Sequence, residues 1–556
     1  MANRKKKTAE LEPQEDPRAP LDAAALLAAA KPVLAALEAD LLARADGSGG
    51  ITAALRARHA AEKKAERTGD PFPVWRRNFV EQVAAAWFLS IVFARTLEDR
   101  GLLDRNRIAG EGALDAQKTF FALAPSLGER DYLLTVFKEL SHLVAADLFD
   151  AHHNPVWLFG PSAEAAQRLL QLFRTPSAEA PTFRFGGDSR FLGDLYQDLS
   201  ENVRKRYALL QTPRFVERFI LDRTLEPAIE RFGIDQVRLI DPTCGSGHFL
   251  LGAFERLFDR HLEAAPGLDV REAARRALEA VAGADINPYA VAIARFRLTL
   301  AFLERTGTQK LKNAPRLPLH LAVADSLLHN RHKGLDQRAR DSAQYQQTLL
   351  GELPGTDISK WEGELYALED SVATHDVLGK RYAVVVGNPP YITVKDAVLR
   401  EKYRKIYSTA FRSYSLAVPF KECFFQLGRQ GASVGMITAN SFMKREFGKK
   451  LIEEFIPRWD LTHVIDTSGA YIPGHGTPTV ILLGRNRLPL AKTVRAVMGI
   501  RGEPETPEDP AQGQVWTAIV SQLDQPGSQS DYVSAADAPR DSFHKHPWSL
   551  GGGGAA

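Results

Sequence analysis

The sequence predicts an α/β protein with a mainly parallel sheet and crossover helices, preceded by a mostly α-helical domain. Three observations predict it. Short β-branched runs alternate with long helical patterns beyond about residue 190; small and acidic residues fall where those runs end; and the first third of the chain repeats apolar residues at helical spacing.

Taken in order, Met1 to Pro20 holds Arg4-Lys5-Lys6-Lys7 and a polar, proline-bearing stretch with no apolar core, which predicts a disordered basic tail and no signal peptide. Residues 21–187 are rich in Ala, Leu, Glu and Arg, and Phe79, Val83, Trp87 and Ile91 recur every fourth position, so this region is expected to be a helical domain. Its most apolar stretch, Val83 to Ala94, is too short to span a membrane and is bracketed by Arg76, Arg77, Glu81 and Arg95. It reads as a buried helix, with no membrane partner. Pro176, Pro181, Gly186 and Gly187 then break the pattern, placing an inter-domain linker at Arg174 to Gly187.

Seven strands are expected in the next domain, residues 188–486: Val237 to Ile240, Ala280 to Ala284, Leu319 to Ala324, Tyr382 to Val386, Ser433 to Thr438, Leu461 to Ile465 and Thr477 to Leu483. Their alternation with helical segments is what calls for a mainly parallel sheet. The polar stretch 329–380 breaks the alternation and reads as an insertion. Residues 487–556, polar and proline-bearing, read as a linker leading into a truncated C-terminal region.

The 71 basic and 68 acidic side chains leave a net charge of only +3, which excludes a global polyanion-binding surface and confines any nucleic-acid contact to a local patch. Two cysteines, Cys244 and Cys423, exclude a disulfide framework and suit a reducing, cytoplasmic compartment. No metal is expected, since His152, His153, His329 and His332 have no Cys or carboxylate companions at ligand spacing.

Four motifs carry chemistry. Asp241-Pro242-Thr243-Cys244-Gly245-Ser246-Gly247 follows the first strand and opens a helix, so its small residues let a ligand approach the backbone at the sheet's carboxyl edge. Its glycine spacing fits neither a dinucleotide fingerprint nor a phosphate-binding loop with its lysine. Asp285, followed by Ile286, ends the second strand; its carboxylate can accept hydrogen bonds from two ribose hydroxyls or can cap the helix behind it. Asp325 and Ser326 end the third. Asn388-Pro389-Pro390-Tyr391 ends the fourth: the Asn388 amide oxygen and the Pro389 carbonyl can both accept from one planar amino group, Pro390 stiffens that carbonyl, and Tyr391 offers a ring face to a base.

In this order the motifs resemble the amino-group DNA methyltransferases of the adenine-specific type, over about Leu195 to Asn486. The helical half joined to the first glycine turn looks like the large methyltransferases of bacteriophage-exclusion and phage-growth-limitation defence systems. The resemblance implies a Rossmann-like methyltransferase domain that uses S-adenosylmethionine, acts on double-stranded DNA, and works beside other defence proteins. It further implies that Thr212 lies near the donor's methionine carboxylate, that Asp241, Thr243, Gly245 and Gly247 line the donor, that Asp285 and Ile286 hold its ribose end, and that Asp325 with Ser326 meets its adenine. Phe447, with Phe442 as a competitor, is expected to stack on the flipped base beside Tyr391. By the same resemblance, cofactor motifs placed before the Asn388 tetrapeptide imply a target-recognition domain starting near Arg487.

Lys395, Arg400, Lys402, Arg404 and Lys405 follow the tetrapeptide and read as a loop clamping DNA phosphates, or as a solvated helix face. The implied reaction is direct methyl transfer to N6 of a flipped adenine. C5-cytosine chemistry is excluded because neither cysteine follows a proline. Cytosine N4, a protein glutamine, and a non-catalytic donor- and DNA-binding sensor are the alternatives that intact motifs leave standing.

Overall fold

The computed structural model of the chain describes residues 21–64, 68–143, 146–149, 151, 153–178, 181–199, 211–329 and 370–549. The basic tail, almost all of the expected insertion and the terminal glycines lie outside the described residues.

Nine described strands form one sheet: β1 Leu239–Asp241, β2 Val281–Asp285, β3 His320–Val323, β4 Tyr382–Gly387, β5 Gly428–Ala439, β6 Asp460–Asp466, β7 Thr479–Arg485, β8 Thr493–Gly499 and β9 Val533–Pro539. Their spatial order is β3-β2-β1-β4-β5-β7-β6-β8-β9. Strands β3 to β5 pair in parallel, β7 runs antiparallel to both of its neighbours, and β6 is therefore parallel to β4 and β5. The chain moves outward from β1 to β3 and then returns to the other side of β1 with β4. That reversal opens a crevice at the carboxyl ends of β1 and β4, where doubly wound sheets bind ligands.

Both faces of the sheet are covered, which is why its strands read as nearly continuous apolar runs. In β4, Val384 and Val386 point into one apolar cluster while Val385 points into the other. The first cluster also contains Phe79, Val83, Trp87 and Ile91 from the helix Phe72–Asp99, so the helical half shares a core with the sheet. Phe93 meets Phe296 of the helix Pro288–Arg305 at 4.7 Å, and the Tyr289 hydroxyl donates to the Gln82 carbonyl at 2.7 Å. Phe72–Asp99 is long and apolar enough to cross a membrane, but it is a core helix here, mostly buried.

Two expectations need correction. The stretch Arg174 to Gly187 is not a loose linker, because Phe183 and Phe185 are buried in the shared core and the Phe185 amide donates to Asp99. Likewise the region after Arg487 is not a linker into a separate domain: β8 pairs with β6, β9 closes the edge, and the helix Gln514–Gln522 packs between them and the helix Arg214–Phe232. Trp516 from that segment meets Phe215 and Phe219 edge-on at 4.8 and 5.3 Å. An edge strand has one neighbour and a solvated flank, so β9 carries too few apolar residues to stand out in the sequence.

Candidate active site

The crevice beside β1 and β4 is a cleft open to solvent. Its walls include Thr212, Asp241, Thr243, Gly245, Ser246 and Asn388. The structure thus brings the first glycine turn and the first residue of the tetrapeptide to one cavity from strands far apart in sequence, as the motifs required.

The turn is built for close approach. Gly245 and Gly247 have φ of +51° and +84°, and a Cβ on Gly247 would stand 2.9 Å from that of Ala294. Arg297 donates to the Ser246 carbonyl at 2.7 Å from behind, and burial pulls its pKa down to about 10. Asp241 is buried at the base of the cleft, where one carboxylate oxygen accepts from both the amide and the hydroxyl of Thr243. Burial pushes its pKa up to about 8, against those two bonds. Gly387 leaves the room this pair needs, since a Cβ there would lie 2.6 Å from Asp241 Oδ1.

Asp285 accepts from the Gly245 amide at 3.0 Å and the Asn287 amide at 2.8 Å, one per carboxylate oxygen. Burial raises its pKa to about 6. The helix behind it is capped by Asn287, whose side chain accepts from Tyr289 and Ala290, so Asp285 is not its N-cap. Ile286 beside it is an exposed apolar side chain. Asp325 and Ser326 are engaged within the protein: Asp325 accepts from the Leu327 amide and from the Tyr403 hydroxyl at 2.5 Å, and Ser326 donates to the Pro242 carbonyl at 2.7 Å.

Past β4, the Tyr391 hydroxyl donates to Asn388 Oδ1 at 2.7 Å, and burial raises the Tyr391 pKa. The ring next to Tyr391 is that of His475, with centroids 5.8 Å apart. Neither expected phenylalanine takes that place. Phe442 is buried under Trp548 and Lys421, and Phe447 is half-buried against the second apolar cluster. Lys395, Arg404 and Lys405 are exposed on and before the helix Ala397–Ile406, whereas Arg400 and Lys402 are half-buried; Arg404 is paired with Glu401.

Sequence reasoning missed Gly193, Gln197, Gln211 and His475. The first three also line the cleft. Only Gln211 carried a signal, as the neighbour of Thr212. A Cβ on Gly193 would stand 2.6 Å from both the Gln211 amide and Ser246 Oγ, so the helix Phe191–Leu199 is pressed against the cleft.

Residues 279–472 match the Eco57I restriction-modification methylase family. The chain is 44% identical over 570 residues to the adenine-specific methyltransferase PglX of Streptomyces coelicolor, an alignment covering 96% of this chain and 46% of that protein. The chain is thus similar to this methylase family over residues 279–472 and to PglX along nearly its whole length. A shorter match reaches the type II methyltransferase M.BstVI of Geobacillus stearothermophilus, 32% identical over 89 residues, 16% of either protein. Among solved structures, the DrdV–DNA complex aligns with a TM-score of 0.52 at 11% identity, over 94% of this chain and 45% of that one, a likeness of fold. The chain therefore spans less than half the length of the PglX methylase. The family segment contains β2 to β6, the Asn388 tetrapeptide and the first part of the loop that carries His475.

Proposed function

We propose that this chain transfers the methyl group of S-adenosylmethionine to N6 of an adenine flipped out of duplex DNA, in a cytoplasmic phage-defence system of the restriction-modification kind. One observation carries the reading: Asn388 stands on the wall of the same cleft as Asp241, Thr243 and Gly245. The resemblance of the motifs and the names of the relatives support it.

The cleft fits the donor chemically. Gln197 Oε1 and Gln211 Oε1 in its wall are buried acceptors with no hydrogen-bond partner among the described residues, suited to an ammonium group, and Asp285, bonded to the Gly245 amide of the lining turn, has a carboxylate suited to hydroxyls. Thr212, Asp241, Thr243, Gly245, Gly247, Asp285 and Ile286 would hold the donor, with Asp325 and Ser326 behind its base. When bound, S-adenosylmethionine would supply an electrophilic methyl on a sulfonium; as the N–C bond forms the S–CH3 bond would break to leave the thioether, and the surplus N–H proton of the methylated amine would pass to water.

Asn388 Oδ1 and the Pro389 carbonyl then draw on the two N–H bonds of the adenine amino group, turning its lone pair out of conjugation and toward the cleft. Pro389 and Pro390 restrict the backbone torsions there, so the acceptors are set before substrate arrives. Flipping is required because N6 inside the duplex lies beyond reach of an acceptor pair set in the wall of a cleft. Tyr391 supplies apolar surface for the displaced base, with Phe447 as the second stacking candidate. Lys395, Arg400, Lys402, Arg404 and Lys405 contact phosphates, the exposed Lys395 and Lys405 most directly.

Incubating the purified chain with methyl-labelled donor and bacterial DNA, then digesting to nucleosides, tests the reading. Label in N6-methyladenine is the expected result. Label in N4-methylcytosine or protein glutamine would move the acceptor, and donor binding without turnover would make the chain a sensor.

A further inference from the structure

The loop between β6 and β7, residues 467–478, leaves the carboxyl end of a strand parallel to β4, so the topology brings it to the same edge of the sheet as the cleft. It is held at both ends. Asp466 accepts from the Ser468 amide, and the Asn440 amide donates to the Pro478 carbonyl at 3.0 Å. At its tip His475 is half-buried and makes two contacts in different directions. Its Nε2 lies 3.3 Å from the carbonyl oxygen of Gln211, whose residue lines the donor cleft beside Thr212. Its ring lies against Tyr391 at 5.8 Å, tilted by 58°, and Tyr391 in turn holds Asn388 Oδ1.

A carbonyl oxygen only accepts, so Nε2 carries the hydrogen. Burial lowers the His475 pKa, which favours the neutral ring with Nδ1 as a lone-pair nitrogen; that atom is buried and has no hydrogen-bond partner among the described residues. The imidazole is therefore held by one N–H on the Gln211 side and one tilted ring contact on the Tyr391 side.

We infer that His475 is a positioning residue that ties the donor-site segment Gln211–Thr212 to Tyr391, so that each half of the site sets the geometry of the other through a single side chain. The inference rests on the reading of the cleft as a methyl-transfer site. It assigns His475 no contact with donor or DNA. The two contacts use different parts of the ring, and two substitutions separate them. His475→Phe keeps a ring against Tyr391 and removes the N–H to Gln211. His475→Gln keeps an amide N–H within reach of that carbonyl and removes the ring.

With bacterial DNA and labelled donor, H475F should raise the donor KM by about fivefold to tenfold, the worth of one hydrogen bond, while kcat holds. H475Q should keep the donor KM within about twofold and lower kcat by roughly tenfold, the scale of one aromatic pairing. A merely structural role would shift both parameters together in both variants. That pattern, or no change in either variant, overturns the bridge. Calorimetric binding of S-adenosylhomocysteine needs no turnover. Wild-type binding without methyl transfer defeats the enzymatic reading alone, and the bridge then stands or falls on whether H475F binds the product more weakly than H475Q. A wild-type chain that binds no product defeats both.

Discussion

The Tyr391 hydroxyl donates a 2.7 Å hydrogen bond to Oδ1 of Asn388, the atom proposed above to accept from the substrate amino group. The acceptor is therefore already directed and partly used before any base arrives. An amide oxygen has two lone pairs, so an incoming N–H can share it or displace the phenol.

Asn388→Ala should abolish methyl transfer, by about 10²-fold or more on the scale of removing one transition-state hydrogen bond, while donor binding stays near normal. Tyr391→Phe keeps the ring and frees Oδ1, so transfer should stay within roughly fivefold of wild type, whereas Tyr391→Ala should lose base stacking worth about 1–3 kcal/mol. Single-turnover methylation beside calorimetric donor binding measures both. Near-normal turnover by the Asn388 variant would remove that residue from the mechanism.

Asp285→Ala should weaken donor affinity by roughly 1–3 kcal/mol, the loss of a charged acceptor to hydroxyl groups. Its pKa is raised by burial to about 6, and hydroxyl donors favour the charged form, so donor binding should release a proton near that pH. Affinity is then full above pH 6 and falls by about tenfold per pH unit below it. A flat profile between pH 5 and 7, about one unit either side of that value, would take Asp285 out of donor binding.

For folding, the sign is opposite. Asp241 and Asp285 bind protons more tightly folded than unfolded, since burial lifts their pKa values to about 8 and about 6 from an ordinary 3.8. Asp285 thus lowers the stability of the donor-free chain as pH rises from about 4 to 6, and Asp241 does so from about 4 to 8. Asp241→Asn should flatten that slope in thermal melts taken across the range. An unaltered slope would mean that Asp241 keeps its charge when folded.

Replacing Lys395, Arg400, Lys402, Arg404 and Lys405 with Gln should flatten the salt dependence of DNA binding, by about 0.9 in the log–log slope for each phosphate no longer neutralised. Lys395 and Lys405 are exposed and Arg404 is engaged with Glu401, so the first two should account for most of the change. Donor affinity should not move. If the slope is that of the wild type, the helix Ala397–Ile406 is only a solvated face.

Trp516→Ala should cost about 3–5 kcal/mol, because the ring fills the seam against Phe215 and Phe219 and leaves a cavity when removed. One cooperative transition, shifted down as a whole, is expected in denaturant. Two separate transitions would restore a division of the chain at Arg487.

The sequence by itself determined the sheet's first seven strands, the long buried helix around Trp87, and the strand ends that carry Asp241, Asp285 and Asn388, because each rests on a local pattern: a β-branched run, a helical period, small residues at a turn. It also placed these strand ends along one edge of the sheet, since parallel strands share a carboxyl edge. Tertiary structure alone decided the rest. Asp285 was freed from capping only because Asn287, two residues on, takes the amides of the next helix. His475 has no motif around it and owes its place to a loop that the antiparallel strand β7 turns back over the site. The region after Arg487 joins the sheet through β8, β9 and Trp516, and Phe93 packs on Phe296 across what looked like two domains. Contacts between segments hundreds of residues apart leave no period or spacing to read, since what fixes them is the shape complementarity of buried side chains brought together only by the finished fold.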